Sequence, residues 1–246
     1  MRFAEGLVHG FLVLRSLDGK SLASGDLIQT VAGGRVTSQI VFKFNDGSVH
    51  DETAVFSQNK VFRLLSYHLV QRGPSFRWTL DMTMNTETGR VVVRHKEKDG
   101  DEETDEETLH IPADVGNGIV PILLKNLSPK AKSAAASFVA AVPKPRPVKL
   151  AIADIGSNAF SIAGSTRRAT HYVVKAEIGG LAGFFAPLVG KQPPDTHVWI
   201  LEGPAPAFVK SEGPLFYGGP IWRIELIDPA WPASAKAPAD RPDSKR

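Results

Sequence analysis

Val36-Thr37-Ser38-Gln39-Ile40-Val41-Phe42-Lys43-Phe44-Asn45-Asp46-Gly47-Ser48-Val49-His50 is the stretch that decides the fold. Val36, Ser38, Ile40, Phe42 and Phe44 share one side of an extended chain, and Thr37, Gln39, Val41 and Lys43 share the other. Successive side chains of a strand point to opposite faces, so this alternation predicts a half-buried strand. Asn45-Asp46-Gly47 then supplies residues that accept the positive φ of a tight hairpin turn. The chain returns through 48–56.

The same pattern spreads in both directions. Upstream, a strand over 7–17, apolar on both faces, turns at Asp18-Gly19-Lys20 and is answered by 26–31, before Gly33-Gly34. Downstream, 61–71 is broken by Gly73-Pro74. Trp78, Leu80, Met82 and Met84 then alternate with Arg77, Thr79, Asp81 and Thr83, and Glu87-Thr88-Gly89 leads into Val91-Val92-Val93. A run of adjacent antiparallel strands curls into a sandwich or barrel whose inner wall either packs solid or encloses a ligand. The acids of 96–107 (Glu97, Asp99, Asp101, Glu102, Glu103, Asp105, Glu106, Glu107) read as the solvated tip and flank of a hairpin joining 90–95 to 108–111. Gly100 stands in the wrong place for a calcium loop of the EF-hand type.

The rhythm changes once. Ile119, Ile122, Leu123 and Leu127 fall at helical spacing, with Asp114 as a candidate N-cap and Pro129 as terminator. This predicts one helix near 113–127; with Pro121 in its first turn, the helix starts near Gly118. Its apolar stripe requires a concave sheet to lie against. Strands resume at 135–142, 147–155, 159–163, 169–178, 196–201, 207–212 and 220–227, with a stiff Pro143-Lys144-Pro145-Arg146-Pro147 connector. Trp199, Phe208, Phe216, Tyr217, Trp222 and Trp231 read mostly as core. The organisation expected is one β domain over 5–229, followed by a Pro/Ala-rich disordered tail, 230–246.

Composition narrows the function classes. With 42% hydrophobic and 22% charged residues the chain is not wholesale disordered. The formal charge is only +3, and its scattered cations include Lys236, Arg241, Lys245 and Arg246 in the tail; no basic stripe for nucleic acid emerges. The absence of cysteine removes disulfides, thiolate catalysis and Cys-ligated metals. No stretch approaches the roughly 20 apolar residues of a spanning helix. Met1-Arg2-Phe3-Ala4-Glu5-Gly6 lacks the apolar core of a signal peptide. The protein is then either cytoplasmic or a mature form, periplasmic or exported, with an initiator Met added.

Few residues suggest chemistry. His50 and Glu52 share a strand face, as two metal ligands or a base and its orienter would. No second ligand pair stands at a recognisable spacing, so the pair reads as the charged outer face of a strand whose other face holds Val49 and Val55. His9 and His68 lie on apolar strands and read as buried histidines satisfied by neighbouring carbonyls. No Gly-x-Ser-x-Gly elbow and no P-loop ending is present. The segment from Gly179 to Gly190, with Phe184, Phe185 and Leu188, either folds inward as a plug or forms a lid or membrane contact.

The order of elements resembles the open half-barrel of bacterial lipoprotein carriers (the LolA/LolB-like fold) and of related uncharacterised exported proteins. Three features carry the resemblance: the long meander over 5–111; Ala113-Asp114-Val115-Gly116-Asn117-Gly118-Ile119-Val120-Pro121 leading into a helix; and a closing strand–turn–strand over 196–226 with Trp199 and Pro204 or Pro206. It implies a curved sheet around a helix, with acyl chains on the apolar concave side. The expectation is therefore an all-β, highly curved antiparallel half-barrel that binds an apolar or lipid-like ligand without catalysis, metal or cofactor. Phe42, Phe44, Trp78, Leu80 and Met82 are its candidate wall, and Phe184, Phe185 and Leu188 its lid or peripheral membrane contact. The alternative is an interaction module whose concavity is filled by its own side chains.

Overall fold

Antiparallel pairing organises almost everything in the structure, a computed structural model that describes residues 1–97, 99–162, 164–177, 193–227 and 229–230. The strands are β1 (Val8–Ser16), β2 (Ser21–Ala32), β3 (Arg35–Phe44), β4 (Val49–Asn59), β5 (Val61–Arg72), β6 (Trp78–Asn85), β7 (Arg90–Glu97) and β8 (Glu102–Thr108). One short helix, α1 (Val120–Lys125), precedes β9 (Ser133–Ala140), β10 (Arg146–Ile162) and β11 (Ser165–Glu177). The chain ends in β12 (Thr196–Leu201), β13 (Phe208–Pro214), β14 (Ile221–Leu226) and β15 (Pro229–Ala230). They form one sheet in the order β15-β10-β11-β12-β13-β14-β1-β2-β3-β4-β5-β6-β7-β8, with β9 on the same edge of β10 as β15 but along its first half. The chain is all-β and strongly curved, as the alternation and hairpin residues predict. β3 and β4 pair around Asn45-Asp46-Gly47 with Phe42 opposite His50, and the Asp46 carboxylate accepts from the Ser48 N–H at 2.9 Å.

The curl brings the inner faces of β3–β7 around a central segment. Val36, Phe56, Tyr67, Met82 and Val93 pack there against Val115, Ile119 and Ile122 and against Val139 of β9. The segment 109–119 runs as a strap, with turns at 113–114 and 117–119, that meets the free edge of β9 at Val115: Gly116 N–H donates to Ser137 O at 2.8 Å, and Ser137 N–H to Asp114 O at 3.2 Å. Asn117, 0% exposed, clasps one residue of β9 from both sides. Its Nδ2 donates to Val139 O at 3.0 Å and its Oδ1 accepts from Val139 N–H at 2.8 Å. Gly118, at φ 71°, presses on β4 and β5, so close that a Cβ there would stand 2.9 Å from that of Ala54. The strap thus fills the space between β9 and the meander.

The helix is shorter than its spacing suggests. Residues 113–119 are strap, and only Val120–Lys125 is helical, with Pro121 in the first turn. Asp114 is not the N-cap; that position is Ile119, and the Asp114 carboxylate accepts from Ser137 Oγ at 2.8 Å. Two glycines and an extended clasp outcompete helical spacing where the segment must reach across the barrel. Leu124 anchors α1 against Leu150, Ile152, Tyr172, Val198 and Ile200.

A second curl follows. Residues 147–155 and 159–163 are not separate strands: β10 runs from Arg146 to Ile162, with an irregularity between Asp154 and Gly156. Such bulges bend a strand and sharpen its twist. Beyond it Phe160 packs on Ala169, Trp199 and Val209, on the face turned away from α1. Three residues beyond the end of β14, Pro229, and after it Ala230, pair with Ile162 and Ser161 at the far end of β10. The backbone thus bends back across that face, and β10–β14 enclose a smaller ring behind the main barrel.

Candidate functional site

His50 and Glu52 of β4 lie on the inner face of the barrel, not the outer one. His50 is 3% exposed, on the same face as the buried Ala54 and Phe56, while Val49 and Val55 occupy the opposite, half-buried face. The reading of His50 and Glu52 as a charged outer face is therefore wrong. The His50 ring bonds through Nδ1 to Gln71 Nε2 at 3.0 Å, and Gln71 also donates to Leu215 O at 3.0 Å. Burial depresses the imidazolium pKa to about 4, which keeps the ring neutral. Glu52 accepts from the Tyr67 hydroxyl at 2.6 Å. Burial of its carboxyl raises its pKa, against the pull of that hydrogen bond. Tyr67 in turn packs beneath Gly118, so this polar line supports the strap.

His9 and His68, expected to be buried, are not. Both are half exposed and bond to carboxylates, Asp26 at 3.4 Å and Asp81 at 3.1 Å, across neighbouring strands. Among the described residues no group of three or more His, Cys, Asp or Glu side chains is placed to hold a metal ion.

The five wall candidates divide between two cores. Phe42, 1% exposed, and Phe44 pack with Leu12, Leu14, Phe76 and Trp222. Met82, also 1% exposed, and Leu80 belong to the core around the strap, with Trp78 partly buried beside it. Phe42 lies so close to β2 that a Cβ on Gly25 would meet its ring at 2.4 Å. Trp78 stacks on Tyr217 at 6.5 Å and takes the Arg77 guanidinium on its face at 4.5 Å. Phe184, Phe185, Leu188 and the tail from 231 onward lie outside the described residues.

The recess that the sequence does not announce lies at the α1 end of the barrel. A cleft of about 440 Å³ has Leu124, Leu127, Tyr172 and Ile200 on its floor and Lys132, Asp154 and Glu202 at its rim. Lys132 Nζ bonds Asp154 Oδ2 at 2.9 Å, with most of the lysine chain in solvent. Glu202 Oε1 accepts from Thr170 Oγ1 at 3.3 Å and from Ser157 Oγ.

The N-terminal residues cross this end of the barrel. Asn126 Oδ1 accepts from the N–H groups of Arg2 and Phe3 at 2.8 and 2.7 Å. Glu5, buried, accepts from Gln29 Nε2 at 3.1 Å and Lys125 Nζ at 2.7 Å, while its backbone is clasped by Gln58. Sequence reading missed Glu5, Asn117, Asn126 and Tyr172. Asn117 alone carried a local signal, a polar residue between two glycines in an apolar run.

No family model matches the chain, and no curated protein matches it. Among solved structures it is similar to a β-barrel-like protein of the domain of unknown function DUF1849 from Brucella abortus. That match has a TM-score of 0.50 at 12% identity and covers 93% of this chain and 99% of the other. At that identity the likeness is one of fold: a barrel-like architecture shared along nearly the whole length.

Proposed function

We propose that the protein is a non-enzymatic binder of one amphipathic, acyl-bearing ligand, taken up at the α1 end of the barrel rather than in its depth. The observation that carries this is the cleft, whose volume of about 440 Å³ falls in the range of small-ligand sites. Its apolar floor suits an acyl chain, and the Lys132 ammonium at the rim, ion-paired with Asp154 on one side and otherwise in solvent, has further N–H donors for a polar head group. Burial of the chain on Leu124, Leu127, Tyr172 and Ile200 supplies the affinity, at about 25 cal/mol per Å². The reading extends to a carrier or chaperone in the cell envelope, akin to the lipoprotein carriers, with Phe184, Phe185 and Leu188 touching the membrane or closing over the ligand. A second reading, an interaction module with no ligand, is favoured by the full burial of Phe42 and Met82 in packed cores.

Titration of delipidated protein with a fluorescent fatty acid tests the choice. Saturable uptake of one ligand is expected, abolished by Leu127→Arg and retained in Phe42→Leu. No uptake by the folded wild type refutes the binder and leaves the interaction module.

A further inference from the structure

At the cleft end of the barrel the fold gathers cations that the sequence scatters. Successive turns of a meander alternate between its two ends. The β2–β3 turn at Gly33-Gly34 and the β4–β5 turn at Lys60 therefore open together, at the end where α1 lies. The N-terminal residues tie these parts to one another: Gln58 holds the Glu5 backbone at 2.7 and 3.1 Å, and Asn126 holds Arg2 and Phe3. Arg35 and Arg63 flank Ser57 across β3, β4 and β5, on the outer face, since their neighbours Val36 and Leu64 are buried on the inner one. Arg2, Lys60 and Lys130 stand around the same mouth, and these five cations are all exposed. Among the described residues no carboxylate pairs with any of them; Glu5 and Asp154 are already held by Lys125 and Lys132. Three apolar side chains reach into solvent beside them: Leu7, 82% exposed, and Val31 and Val61 at the two turns.

We propose that this mouth is a docking face for an anionic lipid surface, with the five cations against the head groups and Leu7, Val31 and Val61 reaching past them. Exposed apolar residues interleaved with cations are what a peripheral membrane face needs: charge draws the protein to the surface, and the apolar tips gain from the acyl boundary. The acids set the orientation. Glu97, Asp99, Asp101, Glu102 and Glu103 crowd the β7–β8 turn at the opposite end, so an anionic bilayer repels that end. Closer to the mouth, Glu87, Glu106 and Glu107 stand on the β6–β8 side, with Glu106 held by Arg90 at 2.7 Å. Nucleic acid would use the cations, but it has no use for the three apolar tips, so lipid is the better match.

The purpose of docking rests on the binder reading above, which it deepens by naming the surface that supplies the ligand. Arg2, Ser128 and Pro129 line the cleft as well as its mouth. With the mouth on a bilayer, an acyl chain passes from the membrane to Leu127 and Ile200 without crossing water. This contact needs none of Phe184, Phe185 and Leu188.

Sedimentation of the full chain with lipid vesicles tests the face. Binding is expected to vesicles of phosphatidylglycerol mixed with phosphatidylcholine, but not to phosphatidylcholine alone, and should weaken as salt rises. Lys60→Glu combined with Arg63→Glu should weaken it about twentyfold or more, at roughly fivefold for each cation lost. Lys20→Glu combined with Lys144→Glu makes the same change of charge at the opposite end and should leave binding within about threefold. All four side chains are exposed, so circular dichroism should stay native in both variants. The chain has no cysteine, so a polarity-sensitive dye on Leu7→Cys reports that position alone. Its emission should shift to the blue with the anionic vesicles, and the same dye on Lys20→Cys should not shift. No binding to the anionic vesicles, equal losses from the two charge pairs, or a gel shift of duplex DNA without vesicle binding overturns the proposal. Failure with vesicles while fatty-acid uptake stays saturable strikes the docking face alone. Vesicle binding without uptake strikes the binder and leaves the docking face standing.

Discussion

Replacing Asn117 with alanine removes both halves of the clasp that holds the strap to β9. The wild-type amide satisfies Val139 N–H at 2.8 Å and Val139 O at 3.0 Å, in a place where Asn117 and Val139 are both fully buried. Leaving a buried backbone donor or acceptor unpaired costs about 1–3 kcal/mol each. Two such groups amount to roughly 2–6 kcal/mol, and return of the ends to water by local loosening trims this to about 3 kcal/mol. A domain stable by about 5–15 kcal/mol loses a large share. Equilibrium urea denaturation, followed by tryptophan fluorescence and far-ultraviolet circular dichroism, should show the midpoint falling by about 1 M at unchanged slope. Asn126→Ala at the barrel end leaves partly exposed groups that water can reach, and should cost only about 1 kcal/mol. A loss below about 0.5 kcal/mol in Asn117→Ala would refute the view that the strap is pinned by this residue.

Two further outcomes follow from the same interior. Gly118→Ala combines a positive φ of 71° with a Cβ 2.9 Å from that of Ala54. The expected cost is about 2–3 kcal/mol, seen as a melting temperature lower by roughly 5–10 °C, and an unchanged melt would contradict the placement of the strap. His50 tests the pH dependence: its folded pKa, about 4, lies below the ordinary 6.5, so the fold favours the neutral ring. Stability from this group is full above pH 6.5 and drains away as pH falls toward 4, by about 3 kcal/mol in all. His50→Gln should flatten that part of the stability–pH curve; an equally steep curve would show that His50 is not the group responsible.

The meander was legible because its signals are local. Alternation across 36–44 and the Asn45-Asp46-Gly47 turn fix β3, β4 and their register without reference to any other part of the chain. Which face of β4 points inward was not legible. His50, Glu52, Ala54 and Phe56 form a mixed row, and the half-buried Val49 and Val55 look the better core from hydrophobicity alone. The decision rests with Tyr67 and Gln71 of β5, which satisfy the polar groups once the sheet has curled. The strap was hidden for a related reason. Ile119, Ile122 and Leu123 have helical spacing, but Gly116, Asn117 and Gly118 answer to β4, β5 and β9, none of which adjoins them in sequence. The cleft is assembled from the N-terminal residues, α1 and the turn after it, β10, β11 and β12, and no stretch of sequence contains it.

The return of the chain across the back of the barrel explains a pattern that a one-sided sheet cannot. Val198, Trp199 and Ile200 are consecutive and all buried, as are Val209 and Lys210. In a strand this requires both faces to be covered, the usual condition of parallel sheets sandwiched between helices. Here the helix covers one face and the sheet itself the other: Val198 and Ile200 face Leu124 of α1, while Trp199 and Val209 face Phe160 on the bent end of β10. Adjacent residues of β11 and β12 therefore serve different compartments. Tyr172 and Ile200 floor the cleft. His171 and Trp199 line the ring behind it. Lys210 can be 4% exposed on a strand face turned away from α1 because the ring closes, with Glu212 and the face of Trp199 standing in for water. An unclosed sheet would leave that lysine in solvent and the His171–Trp199 stack uncovered, and the hydrogen bond from His171 to His197 would lie open to water.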